Sequence, residues 1–281
     1  MAFFYLFLNF FNFKLTCKRI LDKIEVLSIC KGGNIIHSNL YDSIKNNFLS
    51  IKRRGWIKSQ RMGPTGVGYT LEKLLNITEN CFAFPDLYPY EIKTHRCNSK
   101  YSISLFNAAP DGEELFEIKR VCKTYGYPDK IIKMSKILCC TMNANEMNSM
   151  GIRFRQQLFV DYKSEKIFLN IFNNRLEMID NKTWWSFKYL KERYETKLKY
   201  LILITARSKC LNGTEYFKYD TITLYQAKNF DTFLKLISNG IINISFKISC
   251  FRTGKNVGKI RDHGTGFSIQ KSNIDLLFDK L

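Results

Sequence analysis

From residue 17 onward, apolar side chains return every three or four positions, as in LDKIEVLSI and LYDSIKNNFLSI, which predicts a mainly helical segment over residues 17–60. A basic stretch, IKRRGWIKSQR, then runs into a glycine turn. YTLEKLLNI predicts a further helix with Leu71, Leu74 and Leu75 turned inward. CFAFPDLYPYEIKTHR breaks the helical spacing and predicts two short strands joined by a turn around Tyr88 and Pro89. Beyond residue 110 the pattern is less legible until RQQLFVDYKSEKIFLNIFN, which predicts a hairpin turning at Lys163 to Glu165. SFKYLKERYETKL predicts a helix, and the continuous apolar run in KYLILITARS predicts a buried strand. EYFKYDTITLY follows, then the helix FDTFLKLIS with its Asn239–Gly240 stop, then INISFKISCFR. Strands and helices are interspersed without strict alternation and without internal repeats. The expected fold class is therefore α/β in the mixed α+β sense, a mixed sheet flanked by helices.

The 281 residues suffice for one large domain or two lobes around a sizeable core, and 45% apolar content argues for a folded chain. Charge changes the picture. Lys and Arg number 44 against 25 Asp and Glu, a formal +19 with a pI near 9.5. Such a surplus points to a polyanion, most often nucleic acid, sometimes an anionic membrane. The competing explanation is the lysine-rich composition of an AT-rich genome. The nine cysteines are scattered with no C-x-x-C pair, which argues against a zinc ribbon and for a reducing, cytoplasmic setting. The opening MAFFYLFLNFFNFK lacks a basic start and a cleavage site and is too short to span a bilayer, so neither a signal peptide nor a membrane anchor is expected.

GPTGVGYTLEKLL, residues 63 to 75, comes close to a phosphate-binding loop: Gly63 and Gly68 have the required separation and Thr70 stands where the hydroxyl belongs. The lysine of that motif is replaced by Tyr69, and the preceding KRRGWIKSQRM is too charged for the buried strand that such a loop follows. A nucleoside triphosphatase is therefore not expected.

Chemistry is better sought some twenty residues on. Glu91 and Lys93 are two apart on a predicted strand and share a face, and the turn before them is able to fold Asp86 back beside Glu91. Two carboxylates that close favour a cation between them, and Mg²⁺ fits, since it takes oxygen ligands and keeps several waters. Glu72 on the preceding helix is a further candidate. Alone, D-x₄-E-x-K is common in charged proteins, and a solvated charged face is the plainer reading.

The whole pattern is more specific. P-D-x₄-E-x-K directly after GPTGVGYTLEKLL resembles the PD-(D/E)xK nucleases, in particular the MvaI/BcnI family of type II restriction endonucleases, relatives of the nickase MutH. The resemblance runs through RRGWIKSQRMGPTGVGYTLEKLLNITEN, FPDLYPYEIKTHR and SLFNAAP, and resumes at TWWSFKYLKERYETKLKYLILITARSK, YFKYDTITLY and GKIRDHGTGFSI. It covers most of residues 50 to 270 and implies a nuclease core with a mixed central sheet plus a DNA-recognition lobe. The implied organisation is an extension over residues 1–45 and an endonuclease over 46–281, the part to residue 135 mainly catalytic and the remainder completing the sheet and reading DNA. The implied activity is Mg²⁺-dependent hydrolysis of phosphodiesters in short duplex DNA sites, with Mn²⁺ able to substitute. Asp86, Glu91 and Lys93 match the catalytic triplet, Asp86 and Glu91 as metal ligands, and Glu72 matches an acidic residue of the preceding helix. The glycine turn becomes the entry to the Glu72 helix, close to DNA phosphates. Expected DNA contacts are Arg61, His95 and Arg96 near the triplet, and Lys259, Arg261, His263 and Thr265 in the later loop, where Asp262 is placed to orient His263. His37 is expected to be structural or exposed. Ser268 stands where the family pattern suggests Arg, so the target sequence of a relative does not transfer. The resemblance further implies a monomer acting on double-stranded DNA, with a cognate methyltransferase as genetic neighbour rather than subunit. A MutH-like nicking enzyme and a non-catalytic DNA-binding protein are the alternatives.

Overall fold

The computed structural model describes residues 33–77, 84–112 and 117–281. It divides into two compact units, Met1–Arg53 and Arg54–Leu281. In the first, α1 (Gly33–Arg53) buries Ile44, Phe48 and Ile51, whose spacing of four and three places them on one stripe. The helix expected over residues 17–60 stops there: Gly55 takes a φ of +71°, which ends helices, and Ile57–Lys58 form a short strand, β1. The part of that expectation before residue 33, like the apolar N-terminal stretch, lies outside the described residues.

In the second unit the sheet that carries Glu91 and Lys93 is mixed, as expected. Its order is β1, β11 (Thr214–Ala227), β10 (Tyr200–Leu211) and β2 (Tyr90–Arg96), with β15 (Phe278–Lys280) also on β11. β10 and β2 run parallel, Leu201 opposite Glu91 and Leu203 opposite Lys93, and the other pairings are antiparallel. Leu201 to Ala206 are all buried, which is why this strand reads as a continuous apolar run. A second sheet orders β3 (Ile103–Asn107), β14 (Gly266–Ile269), β12 (Ile242–Cys250), β5 (Lys136–Met142) and β4 (Tyr127–Pro128), with β13 (Ile260–Asp262) on the end of β12. A third orders β6 (Asn148–Met150), β7 (Phe154–Asp161), β8 (Lys166–Phe172) and β9 (Met178–Ser186). The expected hairpin is β7–β8, with Glu165 at positive φ in its turn. Because β2 pairs with β10 and β3 with β14, strands from both sides of residue 135 share the two larger sheets.

The helices of this unit are α2 (Gly66–Leu74), α3 (Glu117–Tyr125), α4 (Phe187–Leu198), α5 (Phe230–Ser238) and the short α6 (Ile274–Leu277). Their starts are chemical: Ser186 Oγ accepts from Tyr189 N–H ahead of α4, and Asn229 Oδ1 accepts from Thr232 N–H ahead of α5. In α2 Leu71 is fully buried, whereas Leu74 and Leu75 are only half-buried. A fully buried Trp185 joins the second and third sheets, donating to the Ala108 carbonyl at 3.0 Å and meeting Phe267 edge-on.

Of the two strands expected around Tyr88 and Pro89, the second is β2, and the first, beginning at Cys81, lies largely outside the described residues. Residues 84–89 form a turn with a cis Tyr88–Pro89 peptide bond, and its only ladder contact is a bridge between Leu87 and Tyr90. Two prolines in six residues leave too few backbone donors for a strand there. Among the described residues no helix is long and apolar enough to cross a membrane.

Candidate active site

β2 lies at one end of its sheet, and helices cover its alternate faces. Gly68 of α2 approaches Thr94 on one face, and Lys197 of α4 approaches Glu91 on the other. A side chain at position 68 would crowd Thr94, so glycine lets α2 sit close.

The turn before β2 returns Asp86 to the strand, since Asp86 Oδ2 accepts from Ile92 N–H at 3.0 Å. Glu91 is fully buried. Lys93 Nζ sits against its Oε1, and Lys197 Nζ lies 3.3 Å from its Oε2, close enough for an ion pair without an aligned hydrogen bond. Lys197 Nζ also donates to the Phe84 carbonyl at 3.0 Å, just upstream of Asp86. Burial pushes the Glu91 carboxyl above the ordinary carboxylate range; Lys93 and Lys197 pull it back, and the charge of Asp86 adds to the rise.

Beside β2 opens a cleft of about 480 Å³, lined among others by Glu72, Asp86, Lys93, His95, Arg61 and Tyr101, but not by Glu91. Among the described residues no group of three or more His, Cys, Asp or Glu side chains converges as a metal cage. The carboxylates that line it are those of Glu72 and Asp86, and the buried Glu91, whose Oε2 makes no hydrogen bond, is ion-paired to Lys93 of the lining. That set fits a hard divalent cation that keeps most of its water, and does not fit a soft one.

The near-phosphate loop has a different use. Thr70 is buried and its Oγ1 accepts from Gln60 N–H at 3.0 Å, so the hydroxyl faces inward. Tyr69 carries the Arg61 guanidinium 3.7 Å over its ring. Gly63 takes a φ of +88°, and a Cβ at Gly66 would meet the Arg61 carbonyl at 2.4 Å, so both glycines are demanded by the backbone of the turn that starts α2.

The structure sorts the expected DNA contacts. Arg61 lines the cleft. Arg96 grips Glu215 through two bonds of 2.9 and 3.0 Å and donates to the Pro64 carbonyl at 2.9 Å, so most of its donors anchor the glycine turn to β11 rather than face outward. His95 is only 5% exposed and bonds the Tyr101 carbonyl. At the end of β12, Arg261, Asp262 and His263 are all exposed, Arg261 over the Phe251 ring, and Lys259 Nζ reaches Asn256 Oδ1 at 3.2 Å. Asp262 does not orient His263. Its Oδ1 accepts from Gly264 N–H at 2.8 Å, and the ring is held instead by Ser249 Oγ, 2.7 Å from Nε2, from the neighbouring strand. Thr265 is 1% exposed, with its carbonyl accepting from Ala108 N–H, so its side chain is part of the interior. Ser268 pairs across the sheet with Asn243 and Ser104. Lys197 and Ser249 escaped the sequence reading because neither stands at a motif spacing from the residue it touches.

A model of the MvaI/BcnI restriction endonuclease family matches residues 45–278. The chain is similar to the solved restriction endonuclease MvaI–cognate DNA substrate complex at 29% identity, covering 85% of this chain and 96% of that one with a TM-score of 0.80. With restriction endonuclease MvaI in the absence of DNA the identity is again 29%, the coverage 86% and 96%, and the TM-score 0.56. Nothing matches among curated proteins. Divalent metal use is general to such enzymes, in keeping with the oxygen donors of the cleft. With a family match over nearly all of the larger unit and a likeness to MvaI across 85% of its length, the chain belongs to the MvaI/BcnI restriction endonuclease family and is a sequence-specific type II restriction endonuclease.

Proposed function

We propose that the scissile phosphodiester enters the cleft beside β2 and is hydrolysed there by direct attack of water. The observation that carries this reading is the return of Asp86 onto β2, which brings its carboxylate to a cleft that Glu72 and Lys93 also line, with Glu91 tied to it through Lys93. Asp86 and Glu91 would hold Mg²⁺, with Mn²⁺ as substitute. When bound, the ion supplies Lewis-acid polarisation of the phosphate, a more acidic water and charge compensation for the leaving 3′ oxygen. Lys93 orients the attacking water and offsets negative charge on the phosphate. Glu72, from the other face of the cleft, accepts a hydrogen bond from that water. No nucleophilic side chain is required.

Reading is separate from cutting. Arg261 and His263 are exposed together on the second sheet, and in this proposal they reach base edges while Lys259 and Arg61 hold phosphates. Residues 46–281 make up the endonuclease and residues 1–45 an extension to it. The enzyme works as a cytoplasmic monomer beside a separately encoded methyltransferase.

The test is cleavage of unmethylated plasmid with Mg²⁺ by the wild type and by Asp86→Ala, Glu91→Ala and Lys93→Ala. Discrete fragments from the wild type, a loss of roughly a hundredfold or more in each variant, and DNA binding retained in Ca²⁺ are the expected results. Full activity of Glu91→Ala sinks the assignment.

A further inference from the structure

The connection from β2 to β3 carries an exposed aromatic on a backbone fixed from two sides. His95 Nε2 lies 2.9 Å from the Tyr101 carbonyl. A carbonyl only accepts, so Nε2 carries the proton and donates. The other ring nitrogen, Nδ1, is buried without a hydrogen-bond partner among the described residues, so the polar contact of this 5%-exposed ring goes to that one carbonyl. On the other side Tyr101 N–H donates to Ser99 Oγ at 3.1 Å. Ser99 N–H in turn donates to the Arg96 carbonyl at 3.0 Å, and Cys97 N–H to the Ala206 carbonyl at 2.8 Å, which pins the turn to β10. The phenol so presented is 85% exposed, on a residue that lines the same cleft as Glu72, Asp86 and Lys93.

An isolated exposed tyrosine is ordinary. One whose main chain is held by a buried histidine at the rim of a cleft is preorganised in its backbone, so only the side-chain rotamer is left to order when a ligand arrives. Tyrosine has a flat apolar face and a polar tip and few rotamers to lose, which suits it to pack against a sugar and base beside a phosphate. We propose that Tyr101 is a sequence-independent DNA contact at the cleft, and that His95 is its positioning residue rather than a DNA contact itself. The proposal rests on the reading of this cleft as the seat of the phosphodiester.

The experiment measures affinity of the full-length protein for a short fluorescent random-sequence duplex in Ca²⁺. Tyr101→Ala, a surface change that leaves the core intact, is expected to weaken binding by roughly fivefold or more. His95→Ala is expected to do the same, and the double variant to bind no more weakly than Tyr101→Ala alone, because one residue acts through the other. His95→Gln keeps an N–H donor near the reach of Nε2 and recovers part of the loss. Wild-type affinity in Tyr101→Ala overturns the proposal, and fully additive losses in the double variant overturn the positioning role. If the wild type itself binds no duplex, the reading of the cleft fails rather than the assignment of Tyr101 within it.

Discussion

Lys197 reaches Glu91 from a different element: its Nζ lies 3.3 Å from Glu91 Oε2 while donating to the Phe84 carbonyl at 3.0 Å. One ammonium thus touches the buried carboxylate and the segment that leads into Asp86, and it fixes the end of α4 against both. Glu91 is thereby flanked by two lysines, one from its own strand and one from this helix. Lys197→Met keeps the aliphatic stem and removes the tie. Misplacement of reacting groups by about 1 Å can cost roughly a hundredfold, so turnover is expected to fall roughly 10- to 100-fold with DNA affinity in Ca²⁺ unchanged. Lys197→Arg should recover part of the rate. Single-turnover cleavage kinetics check this, and an unimpaired rate in Lys197→Met would mean that the contact is incidental.

In the later loop, Ser249 Oγ rather than Asp262 orients His263. Once fragment ends have been mapped, relative affinities for cognate, single-substituted and unrelated duplexes become measurable. His263→Ala is expected to lose about 1–3 kcal/mol of discrimination while keeping non-specific binding. Ser249→Ala should lose a smaller part of it, and Asp262→Asn little. Unchanged ratios in His263→Ala place the reading surface elsewhere.

The formal charge of +19 has a thermodynamic signature. If lysines and arginines neutralise several phosphates, log affinity falls linearly with log salt, by roughly a hundredfold or more between about 50 and 200 mM. Fluorescence anisotropy in Ca²⁺ across that range gives the slope. A flat response assigns the surplus to composition.

Asp129 makes a pH prediction away from the cleft. Arg252 Nη2 bonds its Oδ2 at 2.8 Å, and the Ile131 and Ile132 amides bond its Oδ1 at 2.9 Å. The Arg252 hydrogen bond, helped by these amides, holds the carboxyl down at about 2. A carboxyl depressed in the folded state stabilises it above the unfolded value of about 3.9, and that stability is lost as pH falls through the folded value. Asp129→Asn should therefore lower Tm at neutral pH, with the gap to the wild type closing between about pH 4 and pH 2. A gap that stays constant down this range contradicts the ion-paired state.

The sequence by itself determined whatever depends on near neighbours. The apolar run of β10, the β7–β8 hairpin, α4 and α5 with the Asn239–Gly240 stop were legible, because periodicity, caps and turn residues act within a few positions. The same holds for Glu91 and Lys93, which share a strand face by parity alone. Between residues 110 and 155 the strands were illegible because β4 and β6 span only two and three residues and burial along β5 does not alternate strictly, whereas the nine-residue α3 was simply missed. Only the tertiary structure decided which distant groups meet. Lys197 became a partner of Glu91, Ser249 of His263 and Glu215 of Arg96, and Thr265 was taken into the interior. Each of these contacts is made by strands and helices that pack from separate parts of the chain, and side chains brought together by packing carry no spacing in the sequence by which to be recognised.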